Sequence, residues 1–432
     1  MNTNDPRALA LDLLVRAERS DQFSNISLDN ALKKCSMSDA DKRLASVLFY
    51  GVTEKRIALD YRISKLSSRP IDELDANVRN ALRLGVYQLT YLDRIPPHAA
   101  INETVALCNR KTSGFVNAVL RAHTRTPESP LPSRDNMAEY LSVRFSVCPA
   151  LAERLLTSLG ESLTEDVLAG FERVPETTLR VNTLKCSREE LLTHIDGATP
   201  TSNSPDGLHV KGSVRELYGF CDGLFFVQDE ASQICVRALD AKKGDRVLDI
   251  CACPGSKSFG AAMTMKGQGE IRSFDLHEKK LSLIRSGAER LGIGIITANA
   301  QDGKRFLPEL EASADRVLCD VPCSGFGVLA KKPELRYKDP SASAALPSIQ
   351  LDILNNASRY VKEGGVLVYS TCTILPEENE KNVLAFLNGH PEFSLCPWSV
   401  GEISADSGML TLYPHVHETD GFFIAKLERK RL

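Results

Sequence analysis

From about Gly244 onward, short apolar runs alternate with amphipathic helical segments, and that alternation constrains the fold more than any other feature. RVLDIC, EIRSFD, GIIT, DRVLCD, GVLVYS and FFIAKL have the length and composition of strands. Between several of them lie stretches of helical periodicity, such as HEKKLSLIRSGAERLG. A chain that alternates in this way folds into a parallel sheet covered by helices on both faces. Ligands of such sheets bind outside the carboxyl ends of the strands, so the loops that follow the strands are where chemistry is expected.

Two other stretches come first. From Asp5 to about Ala122, ALALDLLVRAE, ISLDNALKKC, ADKRLASVLFYGVTE and VRNALRLGVYQLTYL repeat apolar residues at i, i+3 and i+4 without strand signals. This predicts an all-helical domain over 1–125. The segment Thr124–Asp135, with Pro127, Pro130 and Pro132, reads as a linker. Residues 136–230 mix helical stretches around Leu151–Leu159 and Leu163–Phe171 with the strand-like TLRVNTL and Gly/Ser/Pro-rich connections near 197–213. A small α+β connecting domain is expected there, with the alternating domain over 231–432. The whole is a multidomain α and α/β chain.

A hydrophobic share of 43% and a charged share of 25% exclude disordered and fibrous classes. No apolar run approaches the ~18–20 residues that span a bilayer, and MNTNDPRALALDLL lacks the basic and apolar regions of a secretory leader. The expectation is a soluble cytoplasmic protein without a membrane partner. Its twelve cysteines are then reduced thiols rather than a disulfide framework. No C-x-x-C pair occurs, Cys251-x-Cys253 and Cys319-x₃-Cys323 being the nearest spacings, so no metal is expected. Net charge is −3, but residues 1–125 hold 19 Lys and Arg against 14 Asp and Glu, leaving 34 against 42 for the rest. A basic module on an acidic body points to a polyanion partner for the first part. Arg7, Arg16, Lys33, Lys34, Lys42, Arg43, Lys111 and Arg121 are among its basic residues that could line an RNA surface, each on its own more often a solvated helix position than an RNA contact.

The first strand of the alternating region reaches Asp249 and runs into Cys251, Ala252, Cys253, Pro254, Gly255, Ser256 and Lys257 before a helix starting near Ser258. Gly255 allows a tight turn close to a ligand, and the helix N-terminus offers free N–H groups. The second strand ends at Asp275, placed to accept from ribose hydroxyls, and Asp302 follows the third, placed for an adenine amino group. The loop is neither G-x-G-x-x-G nor G-x-x-x-x-G-K-[ST], which disfavours a dinucleotide and excludes a P-loop. An adenosine ligand without a pyrophosphate fits better, and S-adenosylmethionine is the ligand expected. An aspartate after a strand is on its own more often a cap or loop residue; three in succession carry the reading.

Two cysteines stand at the same edge: Cys323 in Asp320-Val-Pro-Cys-Ser-Gly-Phe-Gly327, after the fourth strand, and Cys372 in Tyr369-Ser-Thr-Cys-Thr, after the fifth. Cys35, Cys108, Cys148, Cys186, Cys221, Cys235, Cys319 and Cys396 read as packing residues, and Cys251 and Cys253 as small loop residues. A thiol beside a methyl donor has a specific use. Carbon-5 of cytosine is a poor nucleophile, and adding a thiolate to carbon-6 turns the ring into an enamine that can be methylated. A base then removes the carbon-5 proton and elimination frees the thiol. Asp320 would serve as acid or acceptor at ring nitrogen-3. Spacing alone leaves the two thiols interchangeable.

DRVLCDVPCSGFG and VLVYSTCTILPEENEKNV, with DICACPGSKS ahead of them and FFVQDEASQICVRAL as a lead-in, closely resemble the Nol1/Nop2/Sun family of RNA cytosine-5 methyltransferases. The stretch ALRLGVYQLTYLDRIPPHAAINETVALC, with GFVNAVLR after it, is similar to the RNA-binding antiterminator NusB. That pairing is typical of bacterial members that methylate a cytosine of 16S (small-subunit) ribosomal RNA. The resemblance implies a Rossmann-like S-adenosylmethionine-dependent domain behind a NusB-like helical RNA-binding domain. It places the cofactor on Cys251 to Lys257, Asp275, Asp302 and Asp320, makes Cys372 the nucleophile, and gives Cys323 to product release. Ser256 stands where the family has glycine, Ala330 where arginine is common with Lys331 and Lys332 as neighbouring substitutes, and Tyr337 where tryptophan is frequent. Competing readings keep the chemistry on transfer RNA, or keep only the scaffold as a non-catalytic RNA-binding factor; the two thiols and Asp320 argue against the latter. His415 and His417 lack a partner motif and are expected at the surface, and His277 reads as a helix-start residue. A monomer is the default.

Overall fold

The computed structural model describes residues 4–20, 25–126 and 131–431; Pro127 and Pro130 of the expected linker lie outside the described residues. The chain forms two compact units, Met1–Glu165 with Lys332–Asp339, and Asp166–Lys331 with Pro340–Leu432.

The first unit is helical, as its apolar periodicity predicts. Helices Pro6–Ser20, Asp39–Glu54, Ala76–Tyr91, Pro97–Ala106 and Ser113–Arg125 bury Leu14, Leu48, Phe49, Leu82, Leu84, Val116 and Leu120 in one core. Their starts carry the expected capping chemistry: Ser38 Oγ accepts from the Asp41 N–H (3.2 Å), and Asp75 Oδ1 from the Asn77 N–H (2.9 Å). Helices Met137–Phe145 and Pro149–Leu159 belong to the same unit. So does Lys332–Asp339, which is remote from them in sequence. Tyr337 donates its hydroxyl to the carbonyls of Thr53 (2.6 Å) and Glu54 (2.8 Å), and the fully buried Arg336 donates to that of Phe145 (2.8 Å). Of the basic residues, Lys33, Lys34, Arg43, Lys111 and Arg121 are exposed, while Arg16 pairs with Asp12 (2.7 Å) and Arg7 donates to Gln88 (2.7 Å).

The second unit holds two main sheets. The smaller runs in the order Thr199–Pro200, Gly207–Val210, Thr177–Val181, Phe225–Val227, all antiparallel, over a core of Leu179, Val181, Leu208, Val210 and Phe225. The larger contains β1 (Arg246–Asp249), β2 (Glu270–Asp275), β3 (Ile296–Ala300), β4 (Ala314–Asp320), β5 (Val361–Thr371), β6 (Phe393–Leu395), β7 (Met409–Leu412) and β8 (Phe422–Arg429). Its order is β6-β8-β5-β4-β1-β2-β3, with β7 also on β8. Side chains alternate across it. Val247 and Leu318 pack with α1 (Glu230–Leu239), α2 (Ser256–Thr264) and α3 (Leu281–Leu291); Leu248, Val317 and Cys319 pack on the other face with α4 (Leu346–Ser358) and α5 (Glu380–Gly389). This is the expected doubly covered, Rossmann-like architecture.

One feature departs from the all-parallel expectation. β1 to β5 are parallel, but β8 runs antiparallel to β5, with Ala425 opposite Tyr369. A parallel neighbour requires a crossover to the far end of the sheet. The chain between α5 and β8 instead spends its length on β6, the hairpin Trp398–Val400/Ile403–Ala405, and β7, and so enters β8 from the other end.

Candidate active site

The carboxyl ends of β1, β2, β4 and β5 present the residues that the sequence singles out. After β1 the chain turns through Ile250 to Gly255, tied to the neighbouring strand by the Ala252 N–H on the Phe274 carbonyl (2.8 Å). Gly255 has φ +107°, and a Cβ there would lie 2.7 Å from the Phe259 ring, so both conformation and space call for glycine. It starts α2 without a side-chain cap hydrogen bond. Asp275 accepts from the Cys253 N–H (3.3 Å) and the His277 N–H (3.0 Å), fixing it beside the loop. Asp302 lines a small cleft with Ile250, Phe274 and Tyr360.

Asp249 is buried: its Oδ2 accepts from Ser258 Oγ (2.6 Å), while among the described residues its Oδ1 makes no full hydrogen bond and the Cys251 N–H gives the carboxylate only a weak one. Burial pushes its carboxyl up to about 7. The Cys251 thiol is pushed up by burial and then by Asp249, Asp320, Asp275 and Asp302, whose charges all reach it. It is therefore an inert thiol at the centre of an acidic ring.

Lys257 points away from the loop backbone. Its Nζ meets Asp320 Oδ2 at 2.6 Å and stands over the Phe422 ring at 5.2 Å. Burial pulls its pKa down, but the Asp320 charge outweighs that and holds the ammonium. Asp320 Oδ1 accepts from Ser370 Oγ (2.8 Å), so the carboxylate is clamped between α2 and β5.

The two motif cysteines converge. Cys323 Sγ and Cys372 Sγ are 2.9 Å apart, and the Cys372 N–H donates to Cys323 Sγ at 3.2 Å. The Cys323 thiol is held well above its usual range by its hydrogen bond to Cys372, then by burial, then by the charges of Cys372, Glu378 and Asp320. Three loops meet here: Gly327 N–H donates to the Cys372 carbonyl (2.9 Å) and Gly421 N–H to the Gly327 carbonyl (2.7 Å). A Cβ on Gly327 would fall 1.8 Å from the Gly421 oxygen.

A family model described as 16S rRNA methyltransferase RsmB/F matches residues 236–428, and the NusB family model matches 4–125. A probable ribosomal RNA small subunit methyltransferase B of Bacillus subtilis (strain 168) is 36% identical, covering 100% of both chains. The chain belongs to the RsmB/F family of methyltransferases. A Klebsiella pneumoniae ribosomal RNA small subunit methyltransferase B (strain MGH 78578) is 35% identical over 94% of each chain. Among solved structures, that of PH0851 superposes with a TM-score of 0.78 at 30% identity, covering 98% of this chain and 99% of that one.

Several residues of the site were given no role from the sequence, or a different one. Glu378, 2% exposed, accepts from the Ser324 N–H (2.9 Å) and Gln350 Nε2 (2.8 Å). Lys331, read as a substitute for the arginine common at position 330, is taken up by two carboxylates, Asp229 and Asp420 (2.9 Å to the latter). It sits at the wall of a cleft of about 500 Å³ that Arg173, Thr178, His209 and Glu230 also line. The signal for Glu378 was its place in Leu-Pro-Glu-Glu-Asn; for the Lys331 trio there was none, because Asp229 and Asp420 are remote in the chain. His415 and His417, expected at the surface, are half-buried, and His417 Nδ1 accepts from the Tyr413 N–H (2.9 Å). Among the described residues no group of three His, Cys, Asp or Glu is disposed to hold a metal, and no helix is long and apolar enough to cross a membrane.

Proposed function

We propose that this chain transfers a methyl group from S-adenosylmethionine to carbon-5 of a cytosine in small-subunit (16S) ribosomal RNA, through a covalent cysteine–carbon-6 adduct. The observation that carries this reading is the pair of thiols 2.9 Å apart at the ends of β4 and β5, beside the Lys257–Asp320 ion pair. The names of the relatives supply the RNA class, and the helical module at 1–125 gives a separate surface on which to hold a structured RNA while one base is taken out of its stack.

The cofactor fits the residues present. The close-approach glycine at 255, the uncapped α2 N-terminus, Asp275 and the Asp302 cleft suit amino-acid, ribose and adenine groups. Cys251 to Lys257, Asp275, Asp302 and Asp320 are the proposed binding residues. Bound there, S-adenosylmethionine supplies an electrophilic methyl group.

Cys372 is the nucleophile. The Lys257 ammonium is within electrostatic reach of Cys372 and favours its thiolate, and Cys323, which keeps its proton, can donate to that thiolate. Cys372 Sγ adds to carbon-6 while Asp320, with the ammonium 2.6 Å behind it, serves ring nitrogen-3. Carbon-5 of the resulting enamine takes the methyl group; a base then removes the carbon-5 proton, the carbon-5–carbon-6 double bond re-forms, and the Cys372–carbon-6 bond breaks with its electrons returning to sulfur, where Cys323, 2.9 Å away, assists release.

The test is methyl incorporation from labelled S-adenosylmethionine into unmodified small-subunit ribosomal RNA by wild type, Cys372→Ala and Cys323→Ala. Label on carbon-5 of cytosine is expected for wild type, none for Cys372→Ala, and a protein–RNA adduct on denaturing gels for Cys323→Ala. Label on transfer RNA alone would move the substrate, and label retained in Cys372→Ala would refute the thiol assignment.

A further inference from the structure

Cys323 and Cys372 lie on different loops, and a contact of 2.9 Å between them requires something to fix both loops at once. The residues flanking each thiol show what does so. On the Cys323 loop, the Ser324 N–H donates to Glu378 Oε2 (2.9 Å), and Gln350 Nε2 donates both to that same oxygen (2.8 Å) and to the Pro322 carbonyl (2.9 Å). Both neighbours of Cys323 therefore hang on Glu378, one directly and one through Gln350 of α4. On the Cys372 loop, Thr371 Oγ1 donates to Asn379 Oδ1 (2.6 Å), and Asn379 Nδ2 donates to the Thr373 carbonyl (3.0 Å). Both neighbours of Cys372 therefore hang on Asn379. A cross-tie from Ser324 Oγ to Thr373 Oγ1 (2.8 Å) joins the two loops.

Glu378 and Asn379 are consecutive, and both are buried, at 2% and 0% exposure. They are held in turn: Tyr369 donates its hydroxyl to the Glu378 carbonyl (2.5 Å), and Asn379 directly precedes α5. Burying a carboxylate and an amide costs free energy unless their hydrogen bonds are made. Here those bonds converge on the neighbours of the two thiols. We propose that Glu378 and Asn379 form a positioning yoke in which Glu378 fixes Cys323, Asn379 fixes Cys372, and the single peptide bond between them sets the separation of the two sulfurs. The proposal rests on the reading that both thiols work on the substrate. Neither yoke residue touches the reacting atoms; each acts through the residues on either side of a cysteine.

The geometric part is readable without any methyl transfer. Diamide oxidises two adjacent thiols to a disulfide, its diazene taking up the two hydrogens and two electrons to become a hydrazine. The rate at which the 323–372 disulfide appears in peptide maps of the full chain therefore measures how well the sulfurs are juxtaposed. Glu378→Ala and Asn379→Ala are expected to slow that rate at least tenfold. They should lower kcat by about 100-fold, the usual effect of misplacing reacting groups by an ångström, with KM for RNA unchanged within about twofold. Glu378→Gln keeps an oxygen for the Ser324 N–H and should restore most of both. Asn379→Asp keeps the acceptor for Thr371, loses the donor to Thr373, and should remain slow.

Wild-type disulfide rates in both alanine variants would overturn the yoke, as would equal losses in Glu378→Ala and Glu378→Gln, or a loss confined to KM. If the alanine variants melt at assay temperature, the conservative pair decides by the same rate: Asn379→Asp at the wild-type rate overturns the proposal. Full methyl transfer by Cys372→Ala would refute the thiol chemistry instead, and the disulfide rates would still decide the yoke.

Discussion

Asp249 offers a quantitative test of how burial controls this site. The residue is 1% exposed, Ser258 serves one oxygen, the other makes no full hydrogen bond among the described residues, and burial raises its pKa from 3.8 to about 7. The folded protein therefore keeps a proton on Asp249 at pH values where the unfolded chain has lost it. Between about pH 4 and 7 the native state binds more protons than the unfolded state, so stability falls as pH rises, by about 1.4 kcal/mol per pH unit at the steepest. Over the whole window the loss amounts to about 4 kcal/mol. Below pH 4 both states are protonated and the penalty vanishes. Asp249→Asn removes the titration while its Oδ1 still accepts from Ser258. The variant should match wild type within about 1 kcal/mol at pH 4.5 and exceed it by an amount that grows toward about 4 kcal/mol at pH 8. Trp398, the chain's only tryptophan, is buried in the same unit, so its fluorescence during urea unfolding reports on that unit alone. Asp420, also pushed up to about 7, is present in both proteins and cancels in the difference. A difference that stays flat from pH 4.5 to 8, or shrinks as pH rises, would refute the reasoning.

Two further substitutions probe the frame around the thiols. Gly327→Ala puts a Cβ 1.8 Å from the Gly421 oxygen, a clash between backbones that no rotamer relieves. It should destabilise the unit by about 2–3 kcal/mol in the same fluorescence assay and lower methyl transfer by more than that loss explains. Lys331→Met leaves Asp229 and Asp420 facing each other without their shared cation. Burial and the Asp229 charge already raise Asp420, and losing the lysine raises it further, so the added cost is small at pH 5, where Asp420 is protonated. It should reach about 2 kcal/mol at pH 8, and urea midpoints that fall equally at both pH values would exclude this account.

Much of the site was legible because its signals are local. A strand ending in aspartate, a loop with glycine before a helix, and a cysteine after proline or threonine can each be read from neighbouring residues, and the alternation of strands and helices brings their loops to one edge. Asp249, Asp275 and Asp320 end β1, β2 and β4 as read. The third strand lies slightly later than GIIT, at Ile296–Ala300, because its pairing with Glu270–Asp275 rather than its apolar content sets its limits. Lys257 was read with the loop that carries it, but its long side chain reaches a carboxylate on another strand, a choice made by charge in a desolvated cleft.

The sequence by itself determined the helical module, the sheet with helices on both faces, and the residues of the two thiol loops. Periodicity and turn chemistry act over a few residues, and nothing distant overrides them here. Only the tertiary structure decided that β8 runs antiparallel, that Lys332–Asp339 packs in the helical unit, and that Lys331 serves Asp229 and Asp420. It also decided that Glu378 and Asn379 each hold one thiol loop. The physical reason is the same throughout. A buried polar group must find its partner within about 3 Å, and which residue supplies it depends on how the chain is packed rather than on which residues are adjacent in sequence.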